Sequence, residues 1–217
     1  MSAQIDASAR PPRRSRGTLI AAGVAALLVA GIAVDTKVVV MGSEHDVRAD
    51  VFSPEAFGAE QFPTIQAFVA ERAVPAADLA AQLAADKDAA TAAHGVKAGV
   101  GYVMPVSFTG VVGEGKAGVF PVAVEGLPEG VVVRVQTGPA INGTELRDAT
   151  GEIQFGQFKN QIEFQDAGSA INNAMKAAVL AGIDNKALTG KTVTVTGAFT
   201  LINPKNWLVT PVRFEAQ

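Results

Sequence analysis

VGYVMPVSFTGVVGEGKAGVFPVAVEGLPEGVVVRVQT, residues 100–137, decides the fold. It holds three Val-rich runs, Tyr102–Val112, Val119–Glu125 and Val131–Thr137, separated by Gly-bearing turns at Gly113-Glu114-Gly115 and Pro128-Glu129-Gly130. Branched side chains fit a pleated surface, and alternation with period two gathers them on one face, so the stretch predicts three strands joined by tight turns. Downstream, strand-like patterns resume at Ile153–Phe155, Thr192–Leu201 and Trp207–Phe214. One amphipathic helix is expected near 169–181, capped by Ser169, with Ile171, Met175, Ala178 and Val179 on one face and Gly182 at its end. Five or six short strands with one intervening helix form the pattern of a small closed barrel of the OB type.

Upstream of this body the period is helical. Ser53-Pro54-Glu55 is a helix start, with a hydroxyl at the cap, Pro at the first helical position and an acid in the first turn. Pro63 and Pro75 punctuate the segment after it, which predicts several short helices. The last, near 75–93, is Ala-rich, has Leu79 and Leu83 one turn apart and is stopped by Gly95. Residues 35–52 contain the apolar run Val38–Met41, readable as a short strand or as the top of a membrane span.

The N-terminus carries its own signal. Arg10, Arg13, Arg14 and Arg16 precede eighteen residues without a charge, Gly17–Val34. At 1.5 Å per residue these reach about 27 Å, close to the roughly 30 Å of bilayer hydrocarbon. Basic residues before the span place the N-terminus in the cytoplasm and the remaining chain outside. A cleaved signal peptide, with Gly31-Ile32-Ala33 as its site, and a buried core helix are the competing readings. The expected organisation is a basic cytoplasmic tail over 1–16, a transmembrane signal-anchor over 17–36, a helical neck over 37–99 and an OB-like barrel over 100–217. The fold class is thus α+β, with an N-terminal transmembrane helix, a short helical neck and a barrel of five to six strands.

Composition narrows the chemistry. The formal charge is −3 and the sequence pI about 5.4, which argues against nucleic acid as a partner. There is no cysteine, so no disulfide, thiolate zinc site, catalytic thiol or cysteine-borne lipid can form. Of the two histidines, His45 lies in Glu44-His45-Asp46, whose neighbouring side chains point apart, and His94 closes the Ala-rich helix beside Gly95. Neither predicts a metal site, and no cofactor is expected. Gly110-Val111-Val112-Gly113-Glu114-Gly115 lacks the Lys-Ser/Thr and the helix of a phosphate loop, and reads as a hairpin turn.

One constellation stands apart: Gly138-Pro-Ala-Ile-Asn-Gly143-Thr144-Glu-Leu-Arg147-Asp148-Ala149, succeeded by Phe155, Phe158, Asn160 and Gln161. Arg147 and Asp148, being adjacent, need not pair with each other and can each bond backbone groups that close a loop. Asn160 and Gln161 can pin a neighbouring strand or read a polar ligand. Two readings stay open: fasteners of an irregular β-crossing, or a binding surface.

The segment GPAINGTELRDA, then F-x-x-F-x-N-Q-I-x-F, an Asn-bearing helix, L-x-G-K-x-V-x-V-x-G-A-F and a terminal T-P-V-x-F resemble domain-of-unknown-function family 2291. Its bacterial members are described as predicted periplasmic lipoproteins. The resemblance runs from about Asp35 to the C-terminus and names Gly138, Gly143, Thr144, Arg147, Asp148, Phe158, Asn160, Gln161, Gly190 and Lys191 as motif positions without establishing a catalytic residue. Members encoded beside sugar ABC-transporter genes imply an accessory role in sugar uptake, with transporter components as partners. This chain departs from the pattern in having no lipobox cysteine, so the apolar span is expected to replace the lipid. The resulting expectation is a noncatalytic, membrane-tethered extracytoplasmic protein. The alternatives are a glycan- or small-polar-ligand-binding envelope module and an envelope hydrolase working through carboxylates such as Asp148 and Glu152.

Overall fold

The computed structural model describes residues 16–35, 52–99 and 101–217. The chain divides into two compact units, Met1–Val51 and Phe52–Gln217. In the first, helix α1 spans Arg16–Asp35, and its described apolar side chains, among them Ile20, Val24, Leu27, Leu28, Val29 and Ile32, are all exposed. Among the described residues no helix is both long and apolar enough to cross a membrane. The structure therefore gives a 20-residue helix where a span was expected, and no more than that. The run Val38–Met41, His45 and the arginines at 10, 13 and 14 lie outside the described residues.

The second unit opens with α2 (Pro54–Arg72), a two-residue strand β1 (Val74–Pro75), α3 (Ala76–Ala85), α4 (Lys87–His94) and β2 (Val96–Ala98). Pro63 does not end α2, contrary to the expectation of several short helices. It lies on the exposed face, where water can hydrate the carbonyl it leaves unbonded, while Phe62, Ile65 and Val69 bury the opposite face. The expected helix over 75–93 is instead two, divided at Asp86, whose side chain accepts from the Ala89 N–H at 3.0 Å and caps α4. His94, at the end of α4, bonds the Gln82 side chain at 2.8 Å.

The barrel comes next: β3 (Gly101–Val112), β4 (Val119–Val124), β5 (Val132–Gln136), β6 (Thr192–Thr200) and β7 (Asn206–Ala216). Its order is β3-β4-β5-β7-β6, closed by β3 against β6 from Val103↔Thr200 to Val111↔Thr192. β5 and β7 run parallel, from Val132↔Asn206 to Val135↔Val209, and the other neighbours in the ring are antiparallel. Five strands in this order close a barrel of OB type. The register of β6 on β7 slips between Thr196 and Gly197, and a side chain at 197 would run into the Thr210 carbonyl, so the bend needs a glycine.

β3 explains the weak alternation of its own sequence. Val103, Met104, Pro105 and Val106 are buried in succession, because the strand meets the barrel interior on one side and α2, α3 and α4 on the other. The interior is filled by Val and by Phe199 stacked on Trp207, with ring centroids 4.6 Å apart. The piece Ile153–Phe155 is not a strand; Ile153 is buried without a ladder partner, and a single 3-10 turn covers Phe155–Gln157.

Between β5 and β6 lie α5 (Glu145–Asp148) and α6 (Gln161–Met175), the latter continued by one wide turn over Lys176–Leu180. α6 begins well before the expected Ser169. Asn160 caps it, its side chain accepting from the N–H groups of Ile162 and Glu163 at 2.9 and 3.0 Å. It packs against α2 so closely that a side chain at Gly58 would collide with the Ala170 backbone.

Candidate functional site

The site is built on the loop that leaves β5. Gln136, fully buried at the end of that strand, donates from Nε2 to the Asn142 carbonyl and to Thr210 Oγ1, both at 2.9 Å. Its Oε1 accepts from the Asn142 N–H at 2.9 Å. One carboxamide thus does for Asn142 what a neighbouring strand would do, satisfying both backbone groups while residues 138–141 loop outward. Three further side chains hold the loop's carbonyls: Asn185 donates to Gly138 at 3.0 Å, Lys176 to Pro139 at 3.2 Å and Asn172 to Gly143 at 3.0 Å. The Gly138–Pro139 peptide is cis. At Gly143, φ is 95°, a conformation that favours glycine, and the Glu145 carboxylate lies where a side chain would begin.

After this loop α5 makes a single turn that sets Arg147 and Asp148 against each other. Contrary to the expectation that these neighbours need not pair, Arg147 Nε donates to Asp148 Oδ1 at 2.7 Å and Nη2 to Oδ2 at 3.1 Å. Thr144 Oγ1 adds a bond to Oδ2 at 2.7 Å, and Arg147 Nη1 donates to the Phe164 carbonyl at 3.3 Å. The guanidinium carbon sits 3.7 Å from the centroid of the Phe164 ring. A planar cation held flat on an aromatic face and forked onto a carboxylate is rigid, which explains how Arg147 can be only 8% exposed.

Arg147, Asp148 and Thr144 line the wall of an open groove of about 470 Å³ together with Phe155, Phe164 and Lys97. Phe155 is half exposed and meets Phe164 edge-on at 5.7 Å. Glu145, one residue from the groove wall, accepts weakly from Thr200 Oγ1 at 3.4 Å, and its Oε2 is enclosed without a hydrogen-bond partner. Burial pushes its carboxyl above the ordinary value; its own backbone N–H and the Thr200 and Thr210 hydroxyls pull it back, while the Asp148 charge adds to the rise. Asp148 spends its oxygens on Arg147 and Thr144, and Glu152 does not line the groove. Among the described residues there is no group of three or more His, Asp or Glu side chains placed to hold a metal ion.

The motif positions therefore separate by role. Gly138, Gly143, Thr144, Arg147 and Asp148 come together as the fastened loop and the groove wall. Phe158 instead joins a chain of rings, 5.4 Å from Phe52, 5.6 Å from Phe57 and 5.4 Å from Phe164. Asn160 is a helix cap, and Gln161 is exposed as the first residue of α6. Gly190 and Lys191 lie at the start of β6, where the Gly190 N–H bonds the Val112 carbonyl and the Lys191 carbonyl accepts from the Val112 N–H. They do not line the groove. Gln136 lies outside every quoted motif, while Glu145, Phe164, Asn172 and Thr210 fall within the quoted motifs or the Asn-bearing helix without being named as motif positions. Gln136 comes after inward-facing Val133 and Val135 on one strand, and a polar residue closing such a strand was the available signal.

The fold is similar to a solved OB-fold protein from Thermotoga maritima, with 20% identity and a TM-score of 0.58 over 76% of this chain and 99% of that one. At that identity the likeness speaks for the fold alone. No curated protein matches the chain. The family model described as predicted periplasmic lipoprotein (DUF2291) matches residues 22–215, nearly the whole sequence, and carries within it the fastened loop, the groove wall and the five barrel strands except the last residue of β7. The chain belongs to that predicted periplasmic lipoprotein family, DUF2291.

Proposed function

We propose that the protein is a noncatalytic extracytoplasmic domain, tethered to the membrane by α1, that assists a sugar uptake system and takes a small polar solute such as a sugar in the Arg147–Asp148 groove. One observation carries the reading: a fixed Arg147–Asp148 pair and the half-exposed ring of Phe155 line the same groove. A sugar presents hydroxyls that pair with planar polar groups and an apolar C–H face that rests on a ring, and a concave site with few fixed polar groups suits it. The tether is supported by the sequence of α1, uncharged from Gly17 to Val34, together with a family of lipoprotein description in a chain that has no cysteine to carry a lipid.

Calorimetric titration of the unit Phe52–Gln217 with a panel of mono- and disaccharides tests the groove. Saturable heat with at least one sugar is expected, weakened about tenfold by Phe155→Ala without a change in thermal midpoint; silence across the panel defeats the sugar reading. The accessory role is tested separately, by crosslinking in native membranes. A permease or ATPase subunit should be recovered with the full chain, and repeated recovery of none refutes that part.

A further inference from the structure

A second depression lies on the outer face of the barrel, where β5 begins and the β6–β7 loop ends. It measures about 440 Å³ and is lined by Gly130, Val132, Arg134, Asn203, Lys205 and Asn206. Two cations face it, and none of these lining residues is acidic, in a chain whose formal charge is −3. Neither cation is there by chance of a floppy surface. Arg134 projects outward between inward-facing Val133 and Val135, and its Nη2 is fixed by the Asn206 side-chain oxygen at 2.8 Å. Its Nε–H is enclosed and has no acceptor. Lys205 is held by its backbone: its N–H bonds the Asn203 side chain at 2.9 Å, and its carbonyl accepts from the Val132 N–H at 2.9 Å. Its ammonium lies 4.0 Å from where a side chain at Gly130 would begin, an ordinary contact distance, and the φ of 82° is what calls for glycine there.

We propose that Arg134 and Lys205, with the Asn203 and Asn206 amides beside them, form a binding site for a compact oxyanion, a phosphate group above all. A guanidinium anchored through one nitrogen, a flexible ammonium across from it and amide donors between them supply charge and directed N–H groups to a tetrahedral anion. The site lies apart from the Arg147–Asp148 groove and does not depend on the reading of that groove. A phosphate group can arrive on a free solute or on a lipid headgroup, and the chemistry of recognition is the same for both.

The test uses the full chain in phosphatidylcholine bicelles, with the side-chain amides of Asn203 and Asn206 monitored by NMR. In one arm inorganic phosphate is titrated in; in the other, phosphatidylglycerol replaces part of the phosphatidylcholine. A saturable shift in the first arm, at least tenfold weaker in Arg134→Gln/Lys205→Gln, supports a solute-borne phosphate. A shift only in the second arm, lost in the same variant, supports a headgroup. No saturable shift in either arm, or a shift undiminished by the substitutions, overturns the proposal. Lys205→Gln alone, a loop substitution, keeps the test decisive if the double variant fails to fold, and Lys186→Gln, on another exposed turn, should change nothing.

Discussion

Replacing Arg147 by Leu should be the most damaging single change around the groove, and its cost can be worked from the contacts. The substitution removes two bonds to Asp148, one to the Phe164 carbonyl and the stacking on the Phe164 ring. Removing one partner of a buried ion pair costs about 3–5 kcal/mol, because the other charge is left without compensation. Asp148 keeps 19% of its side chain exposed and retains the Thr144 hydroxyl, so the low end, about 3 kcal/mol, applies. In urea, at roughly 2 kcal/mol per molar, that lowers the midpoint of the unit Phe52–Gln217 by about 1.5 M at constant slope. Arg147→Leu/Asp148→Leu should cost no more than Arg147→Leu alone, since no orphaned charge remains. A loss under about 1 kcal/mol for the single change, or a double variant as costly as the sum of the two singles, would falsify the claim that the pair is what fixes the loop.

Three further outcomes are expected from the same contacts. Gln136→Leu should cost about 2–4 kcal/mol, because it strips partners from both backbone groups of Asn142 and from Thr210; a change below about 1 kcal/mol by urea unfolding would show that water takes over the clamp. Glu145 has a folded pKa raised above its ordinary value of 4.5, so the stability it contributes is present in acid and is lost as pH rises through the raised value. Glu145→Gln should accordingly match the wild type in acid and gain on it toward neutral pH in paired melting curves, and a difference independent of pH would count against the burial argument. Leu27→Arg/Leu28→Arg places two charges mid-helix in α1, at roughly 2.5–3.5 kcal/mol each for insertion, and should move the full chain from the carbonate-resistant membrane fraction to the soluble one. Unchanged fractionation would refute the tether.

The barrel was legible because its strands announce themselves by alternating Val and, between the first three, by Gly-bearing turns, and all ten ends of the five strands fall within two residues of those read from the pattern. The helices were less legible, for reasons that are local. Pro63 reads as a breaker, but a proline on the wet face of a helix whose other face is packed leaves only a carbonyl that water can serve. The periodicity puts the start of α6 at Ser169, although Asn160 with Glu163 three residues later is itself a helix-start pattern; the Glu163 side chain reaches back to the Lys159 N–H at 2.9 Å. For the site, the motif residues pointed to the right loop and missed what holds it. Arg147 and Asp148 pair because α5 is one turn long and Phe164 comes under the guanidinium from a helix further along the chain, and neither fact is written in their spacing. Gln136 and Thr210 meet across the β5–β7 contact, which sequence separation conceals.

That parallel contact also sets a schedule for synthesis. β7 follows the other four barrel strands in chain order and fills the gap between β5 and β6, so the ring keeps an open seam until β7 has left the ribosome. Until then β5 and β6 each offer an unpaired edge rich in valine, the kind of surface that chaperones cover and other chains invade. A nascent chain of this protein is therefore kept from early closure by its topology until β7 has emerged.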